Sequence, residues 1–182
     1  MVEAEYILEL KKYGAGDPTK SDIEALEKEL YDGPDRAAAI VLGALAEKAV
    51  VKLLSQSIKE EDIKGNFGTK IAMAYSRELF GWQTEKDLTI IRHLRNQFAH
   101  SRKPIEFVTP IVKQCCDELT YPDAPGVHVP FDYVNKVADH LLEDAADKSQ
   151  PRTRYFISVH EIAQRIYFIR SGDELDPRNH LL

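Results

Sequence analysis

The apolar residues of this chain recur three and four positions apart along most of its length, and clusters of Pro and Gly separate the periodic segments. That spacing places apolar side chains on one side of a helix. No segment shows a convincing strand alternation. The pattern therefore predicts an all-α fold, a bundle of about seven helices. The eight candidate helical segments, of which the first is short, are 3–13, 22–30, 36–57, 69–80, 85–103, 110–119, 131–147 and 153–171.

The segment 36–57 differs from the others because it is apolar nearly all round, as in AAAIVLGALAEKAVVKLL. A helix without a polar side is buried in most directions, so we expect 36–57 to be the central and most buried helix. Its Ala and Gly residues would let other helices approach closely. Glu47 lies within it. Because buried acids are uncommon, we interpret Glu47 as an edge residue facing solvent rather than as a catalytic acid.

Polar residues mark where several helices are expected to begin. Ser21 and Glu24 have the spacing of a capping box, and so do Thr84 and Asp87. Asp35 is expected to cap helix 36–57.

Two junctions carry Gly or Pro signals. Thr109-Pro110 combines a cap with a proline in the first helical turn. Gly81 is expected to end helix 69–80, and Trp82, at the same junction, is expected to fill the core.

Composition restricts the class of protein. The 182 residues suit a single domain, 1–182, and a hydrophobic content of 43% suits a sizeable core. Acidic residues outnumber basic ones by 30 to 24, which argues against broad nucleic-acid binding. No run approaches the roughly 18 apolar residues of a membrane span, and the N-terminal residues MVEAEYILELKKYG lack the apolar core of a signal peptide. We expect a cytoplasmic protein that does not bind membranes.

Metal and cofactor motifs are absent from the sequence. There is no phosphate-binding glycine loop, and the six His residues do not lie at metal spacing with partners. We therefore predict no cofactor and no metal site. Cys115 and Cys116 are sequence neighbours, which rarely bridge, and we expect them to pack in the core rather than to take part in redox chemistry.

The stretch 87–103, DLTIIRHLRNQFAHSRK, carries the most unusual local chemistry. On a helical wheel its apolar residues Ile90, Ile91, Leu94 and Phe98 fall on one side. The other side, with His93 at its margin, holds Arg92, Arg95, Asn96, Ala99, His100, Arg102 and Lys103. The short turn before this helix could mimic a helix-turn-helix. Its exposed side lacks the run of small and amide side chains that read base edges, so we expect no specific binding of duplex DNA.

Arg95-Asn96-Gln97-Phe98-Ala99-His100 forms an R-N-x-x-x-H motif near the end of this helix. It resembles the motif of the HEPN superfamily, helical domains of prokaryotic toxin–antitoxin and defence systems. A wider stretch, about 33–119, resembles the mannitol operon repressor family, whose helical domain is HEPN-like. The matching segments are Asp35-Arg36-Ala37-Ala38-Ala39-Ile40, Phe67-Gly68-Thr69-Lys70-Ile71 with Ala74-Tyr75, and Leu88-x-x-Ile91-Arg92-x-x-Arg95-Asn96-x-Phe98-Ala99-His100.

The resemblance to the repressor family implies a cytoplasmic regulator, a homodimer that acts through contacts with a protein partner, such as a regulator or an antitoxin. The motif residues would then cap the helix, tie down the following loop and build the dimer interface.

The HEPN resemblance alone implies an alternative, a metal-independent endoribonuclease. Arg95, Asn96 and His100 would then be catalytic, and Arg92, Arg102 and Lys103 would hold the RNA. His suits proton transfer near neutral pH, and Arg suits a phosphate. A two-fold pairing of the helix would bring both copies of the motif together. The two readings leave open whether the chain is an enzyme.

Overall fold

The computed structural model of the chain describes residues 18–31, 33–123 and 150–168, and all regular structure within these ranges is helical. The predicted all-α class is therefore confirmed. The six described helices are α1 Lys20–Tyr31, α2 Asp35–Ser55, α3 Phe67–Ser76, α4 Trp82–His100, α5 Pro110–Asp117 and α6 Pro151–Phe168, with 3₁₀ turns at Glu60–Asp62 and Tyr121–Asp123. The predicted helices 3–13 and 131–147 lie outside the described residues. None of the six described helices is long and apolar enough to cross a membrane.

Helix α2 is the helix around which the others pack, with α1, α3, α4 and α6 in contact with it. Five of its buried residues are Ala or Gly, which allows the close approach that the sequence predicted. The prediction that α2 is the most buried helix is wrong. Helix α6 buries a larger share of its residues, because it packs against α2, α5 and the turn Tyr121–Asp123. Its buried residues include the charged Arg154, Glu161 and Arg165, which a hydrophobic pattern cannot reveal.

Three aromatic rings join the helices around α2. The Phe107 ring centroid lies 5.0 Å from that of Phe98 on α4 and 5.3 Å from that of Tyr155 on α6. The Tyr155 hydroxyl donates a hydrogen bond of 2.8 Å to the carbonyl oxygen of Ala39 on α2. Burial raises the pKa of Tyr155 well above its ordinary value, so this hydroxyl stays a donor.

Helix α1 begins earlier than predicted. Its capping box consists of Thr19 and Asp22, not of Ser21 and Glu24. The Asp22 N–H donates to Thr19 Oγ1 at 3.2 Å, and the Thr19 N–H donates to Asp22 Oδ2 at 2.9 Å. Lys20 is consequently already helical.

Asp35 is the first residue of α2 rather than its cap. Its carboxylate accepts the N–H of Phe107 at 2.7 Å and pairs with Arg152 Nη1 at 2.7 Å. Arg152 Nη2 also donates to the carbonyl oxygens of Leu30 and Gly33, at 2.6 and 2.7 Å. Asp35 therefore fixes the start of α2 to the loop before α5 and to α6.

Helix α3 is displaced toward the N-terminus relative to the prediction. It begins at Phe67 because Asn66 Oδ1 accepts the N–H of Thr69 at 3.1 Å. It ends at Ser76, followed by Glu78 in the left-handed conformation with φ 56°. The Glu78 N–H donates to Tyr75 O at 2.9 Å, and the Leu79 N–H donates to Ala74 O at 3.1 Å. This is a Schellman motif in which a glutamate takes the usual place of glycine.

The junction before α4 differs from the prediction. Gly81 is the N-cap of α4 and does not end α3. Trp82 is 53% exposed, so the expectation that it fills the core is wrong. At the start of α5 the prediction is confirmed, since Thr109 is the N-cap and Pro110 lies in the first turn.

Candidate functional site on helix α4

Helix α4 directs its apolar side into the core, as predicted, although Ile90 is only partly buried. Its buried apolar residues are Leu88, Ile91, Leu94 and Phe98. Arg92, Arg95 and Asn96 are half-buried, whereas His93 and His100 are exposed. The motif thus lies at the boundary between the core and the surface.

The guanidinium of Arg95 is held by a carboxylate from α2. Arg95 Nη1 donates to Glu47 Oε2 at 3.0 Å, and Lys70 Nζ on α3 donates to Glu47 Oε1 at 2.7 Å. The side chains of Lys70, Glu47 and Arg95 are 17%, 20% and 28% exposed, so solvent screens these pairs less than surface pairs. The interpretation of Glu47 as a solvent-facing edge residue is wrong. Glu47 joins α2, α3 and α4.

Gly43, one turn before Glu47, accommodates the stem of Arg95. A Cβ at Gly43 would lie 2.8 Å from Arg95 Cβ and 2.9 Å from its Cγ, which is too close for two carbon atoms. Any larger residue at this position would push α4 away from α2. Gly43 therefore sets the spacing at which Glu47 reaches Arg95.

Arg92 lies over the first turn of α3. Its Cδ and Nε are each 3.4 Å from the position that a Cβ on Gly68 would take. Arg92 Nε is shielded from solvent and has no hydrogen-bond partner, while Nη2 lies 2.6 Å from His93 Nε2. In the described part of the chain no carboxylate pairs with Arg92. Arg95 is neutralised by the carboxylate of Glu47, whereas Arg92 has no such carboxylate beside it among the described residues.

His100 is the last residue of α4 and is exposed, and Asn96 lies one turn before it. Within residues 18–31, 33–123 and 150–168 neither side chain forms a hydrogen bond. Positions 95 and 100 are about 140° apart around a helix axis. Arg95 is turned toward α2 while His100 is open to solvent, so one chain does not bring the two groups to one point.

Arg102 and Lys103 lie in the loop after α4 and are exposed. The prediction that the helix continues to about residue 103 is wrong, because Ser101 is extended with ψ 129°. Arg36 Nη2 donates to the carbonyl oxygens of Ser101 and Lys103, at 3.2 and 3.4 Å. The six predicted site residues therefore form two groups. Arg92, Arg95 and Asn96 lie along the helix, and His100, Arg102 and Lys103 lie at its exposed end.

A second polar cluster, centred on the fully buried Asp87, was missed by sequence reasoning. Asp87 Oδ1 accepts the N–H and the hydroxyl of Thr120 at 2.9 and 3.0 Å, and Oδ2 accepts the N–H of Tyr121 at 3.0 Å. Thr84 Oγ1 lies 2.8 Å from Tyr121 Oη. Thr84 and Asp87 are therefore not a capping box, because they bind the turn after α5. The available signal was the position of Asp87 four residues before Ile91, on the apolar side of α4.

Burial has chemical consequences for two groups in this region. It raises the pKa of Asp87, which the N–H donors of Tyr121 and Thr120 lower by less. It also raises the pKa of Cys116 to about 12. A thiol of that pKa is not a nucleophile near neutral pH, so the expectation of a core-packed cysteine is confirmed for Cys116.

No three His, Cys, Asp or Glu side chains among the described residues lie together in a way that could hold a metal ion. Comparison of the chain with known protein families, curated proteins and solved structures found no match. The likeness to HEPN domains and to the mannitol operon repressor family stays a prediction based on the three sequence segments.

Proposed function

We propose that this protein is a cytoplasmic, homodimeric regulator with a HEPN-like helical domain, which acts through protein contacts rather than by reading DNA. The observation that supports this proposal is the pairing of Arg95 with Glu47. The guanidinium of the motif is used to join helices, and a phosphate would have to compete with a carboxylate 3.0 Å away. A cation that is already paired with a carboxylate attracts a phosphate less strongly than an unpaired cation does.

The exposed part of α4 is the surface on which we propose that two copies of the chain meet. His93 and Gln97 are exposed along one side of its second half, next to the half-buried Asn96. Two copies of this side related by a two-fold axis would make an isologous contact. Sedimentation velocity of the purified protein should therefore give a dimer. Replacing Gln97 by Glu puts two like charges near the axis and should weaken the dimer, whereas Gln56→Glu, an exposed substitution at the end of α2, should not.

The DNA part of the proposal has a direct test. Duplexes with a random central region are selected on the immobilised protein at physiological salt and sequenced. We expect no enriched sequence. An enriched sequence that binds the pure protein on the order of 10³ times more tightly than random duplex would refute the proposal.

A second candidate function, a metal-independent endoribonuclease, is favoured by one observation. His100 is exposed at the end of α4 beside the exposed Arg102 and Lys103. In a dimer, His100 would transfer the proton, and Arg95, oriented by Asn96, would bind the phosphate.

If this second function is correct, His100→Ala should lower the rate of cleavage of unstructured RNA by about 10²–10⁴. Lys64→Ala, an exposed substitution between α2 and α3, is the control and should keep full activity. Arg95→Lys should also lose cleavage activity, because the point charge of lysine replaces the planar, two-pronged guanidinium of arginine. A metal chelator should not change the rate of cleavage. Equal cleavage by the wild type and His100→Ala would indicate contamination, and the regulatory proposal would stand.

A further inference from the structure

The loop between α4 and α5, residues 101–109, is fixed at both ends by the first two residues of α2. Arg36 holds the carbonyl oxygens of Ser101 and Lys103, and Asp35 accepts the N–H of Phe107. Inside the loop, Ser101 Oγ donates to Lys103 O at 2.9 Å, and Thr109 Oγ1 accepts the N–H of Glu106 at 3.0 Å. The loop therefore presents its side chains from a defined backbone.

Two kinds of side chain are exposed on and beside this loop. Val108 and Ile111 are 66% and 62% exposed, the highest values among the large hydrophobic residues of the described chain. His100, Arg102 and Lys103 supply exposed nitrogen groups, and within the described ranges neither Arg102 nor Lys103 forms an ion pair. Glu106 is the one exposed acid of the loop. These five residues, 100, 102, 103, 108 and 111, are called the loop surface below.

The loop surface differs in charge from the chain as a whole. The net charge is −6, so attraction of an anionic partner has to come from a local group of cations. At physiological salt such attraction extends about 8 Å, which is enough for a contact but not for long-range steering. The charge pattern selects a partner whose contacting segment is acidic.

We propose that the loop surface binds an acidic, amphipathic segment of a partner protein, whose carboxylates contact Arg102, Lys103 and His100 and whose aliphatic side chains cover Val108 and Ile111. This inference rests on the proposed regulatory function and names the surface that serves it. A surface that combines exposed aliphatic residues with charged groups can bind an amphipathic segment, because it contacts both the apolar and the polar side of that segment.

RNA fits the same surface less well. Proteins that bind single-stranded RNA stack its bases on aromatic rings, and the loop surface has none. The exposed Trp82 lies at the other end of α4, about 27 Å away at 1.5 Å per residue. Val108 and Ile111 offer a base no stacking plane, while they offer leucine or isoleucine a dry contact.

The probe for this inference is a fluorescently labelled synthetic helical peptide with glutamates on one face and leucines beside them. Binding to the full chain is followed by anisotropy. The matched peptide with lysine in place of glutamate should not bind. Raising the salt from about 0.05 M to about 0.5 M should weaken binding of the acidic peptide, because it screens exposed charges.

Two double variants and two controls locate the site. R102E/K103E and V108S/I111S should each weaken binding by about tenfold or more, since each removes one half of the recognition. Lys64→Glu and Trp82→Ser change exposed residues of the same types elsewhere, Lys64 lying beyond the other end of α2, and should leave affinity unchanged. All of these side chains are exposed, so the thermal midpoints should stay close to that of the wild type.

Three results would overturn the inference: no binding of the acidic peptide, full binding by V108S/I111S, or equally tight binding of oligouridine of matched charge that depends on the same residues. The dimer, DNA-selection and RNA-cleavage assays are run on the same preparations. A dimeric, non-cleaving protein that ignores the peptide refutes this inference alone. A protein that cleaves RNA through His100 refutes the proposed function itself.

Discussion

Replacing Asp87 by Ala should be among the most destabilising single changes in the described chain. In the folded protein this carboxylate accepts two backbone N–H groups and one hydroxyl from Thr120 and Tyr121. Alanine leaves both N–H groups without an acceptor in a site from which water is largely excluded. An unsatisfied buried donor costs about 1–3 kcal/mol. Two such donors give an expected loss of about 2–6 kcal/mol in the free energy of unfolding.

Urea unfolding followed by far-ultraviolet circular dichroism measures this loss. Thr84→Val is the matched control on the same helix, because it removes only the hydroxyl that lies 2.8 Å from Tyr121 Oη. That change should cost about 1 kcal/mol. If Asp87→Ala costs no more than Thr84→Val, the Asp87 hydrogen bonds do not hold the turn and the reasoning is wrong.

The same carboxyl makes a signed prediction about pH. Burial raises its pKa above the ordinary value of 3.8, so the folded state binds more protons than the unfolded state between those two values. Stability from this group is therefore fully present below about 3.8 and is lost as pH rises through the folded pKa. Relative to Asp87→Asn, the wild type should lose stability across that window as pH rises. A constant difference, or one of opposite sign, would contradict the assigned direction.

Three further substitutions are measured by the same unfolding assay. Glu47→Gln should cost about 1–3 kcal/mol, because Lys70 and Arg95 lose a shared, partly buried carboxylate. Gly43→Ala should cost about 1–3 kcal/mol, and the cost should persist in Arg95→Ala, since the 2.8 Å approach is to Arg95 Cβ. Glu78→Gly should raise stability by up to about 1 kcal/mol, because the φ of 56° strains a glutamate.

The fold class could be predicted because it depends on a repeated local signal. Helix α2 was placed correctly from its apolar run, and the apolar side of α4 faces the core as expected. Helix starts were less predictable, because several residues suit the cap equally well by type. Thr19 and Asp22 compete with Ser21 and Glu24 at the same spacing, and only the hydrogen bonds decide between them.

The polar clusters were missed for a different physical reason. Glu47 and Arg95 are 48 residues apart, and Asp87 and Thr120 are 33 apart. Because acidic side chains are usually exposed, the sequence alone predicts that the carboxylates of Glu47 and Asp87 face solvent. Their burial depends on partners that the fold supplies from other helices and turns. Arg102 and Lys103 needed no such partner, so their exposure could be predicted, although the helix on which the sequence placed them ends at His100.

The pairing of Glu47 with Arg95 also provides a test that separates the two proposed functions. A guanidinium has five N–H donors, and the ion pair with Glu47 leaves donors on Arg95 for a further ligand. In a nuclease, Glu47 would orient Arg95 while reducing its attraction for phosphate, so Glu47→Gln should strengthen RNA binding even as it lowers stability. In a regulator, the same substitution lowers stability and leaves RNA binding negligible. The stability of Glu47→Gln therefore tests whether the ion pair holds the helices together. The RNA affinity of the same variant tests whether the protein is a nuclease or a regulator.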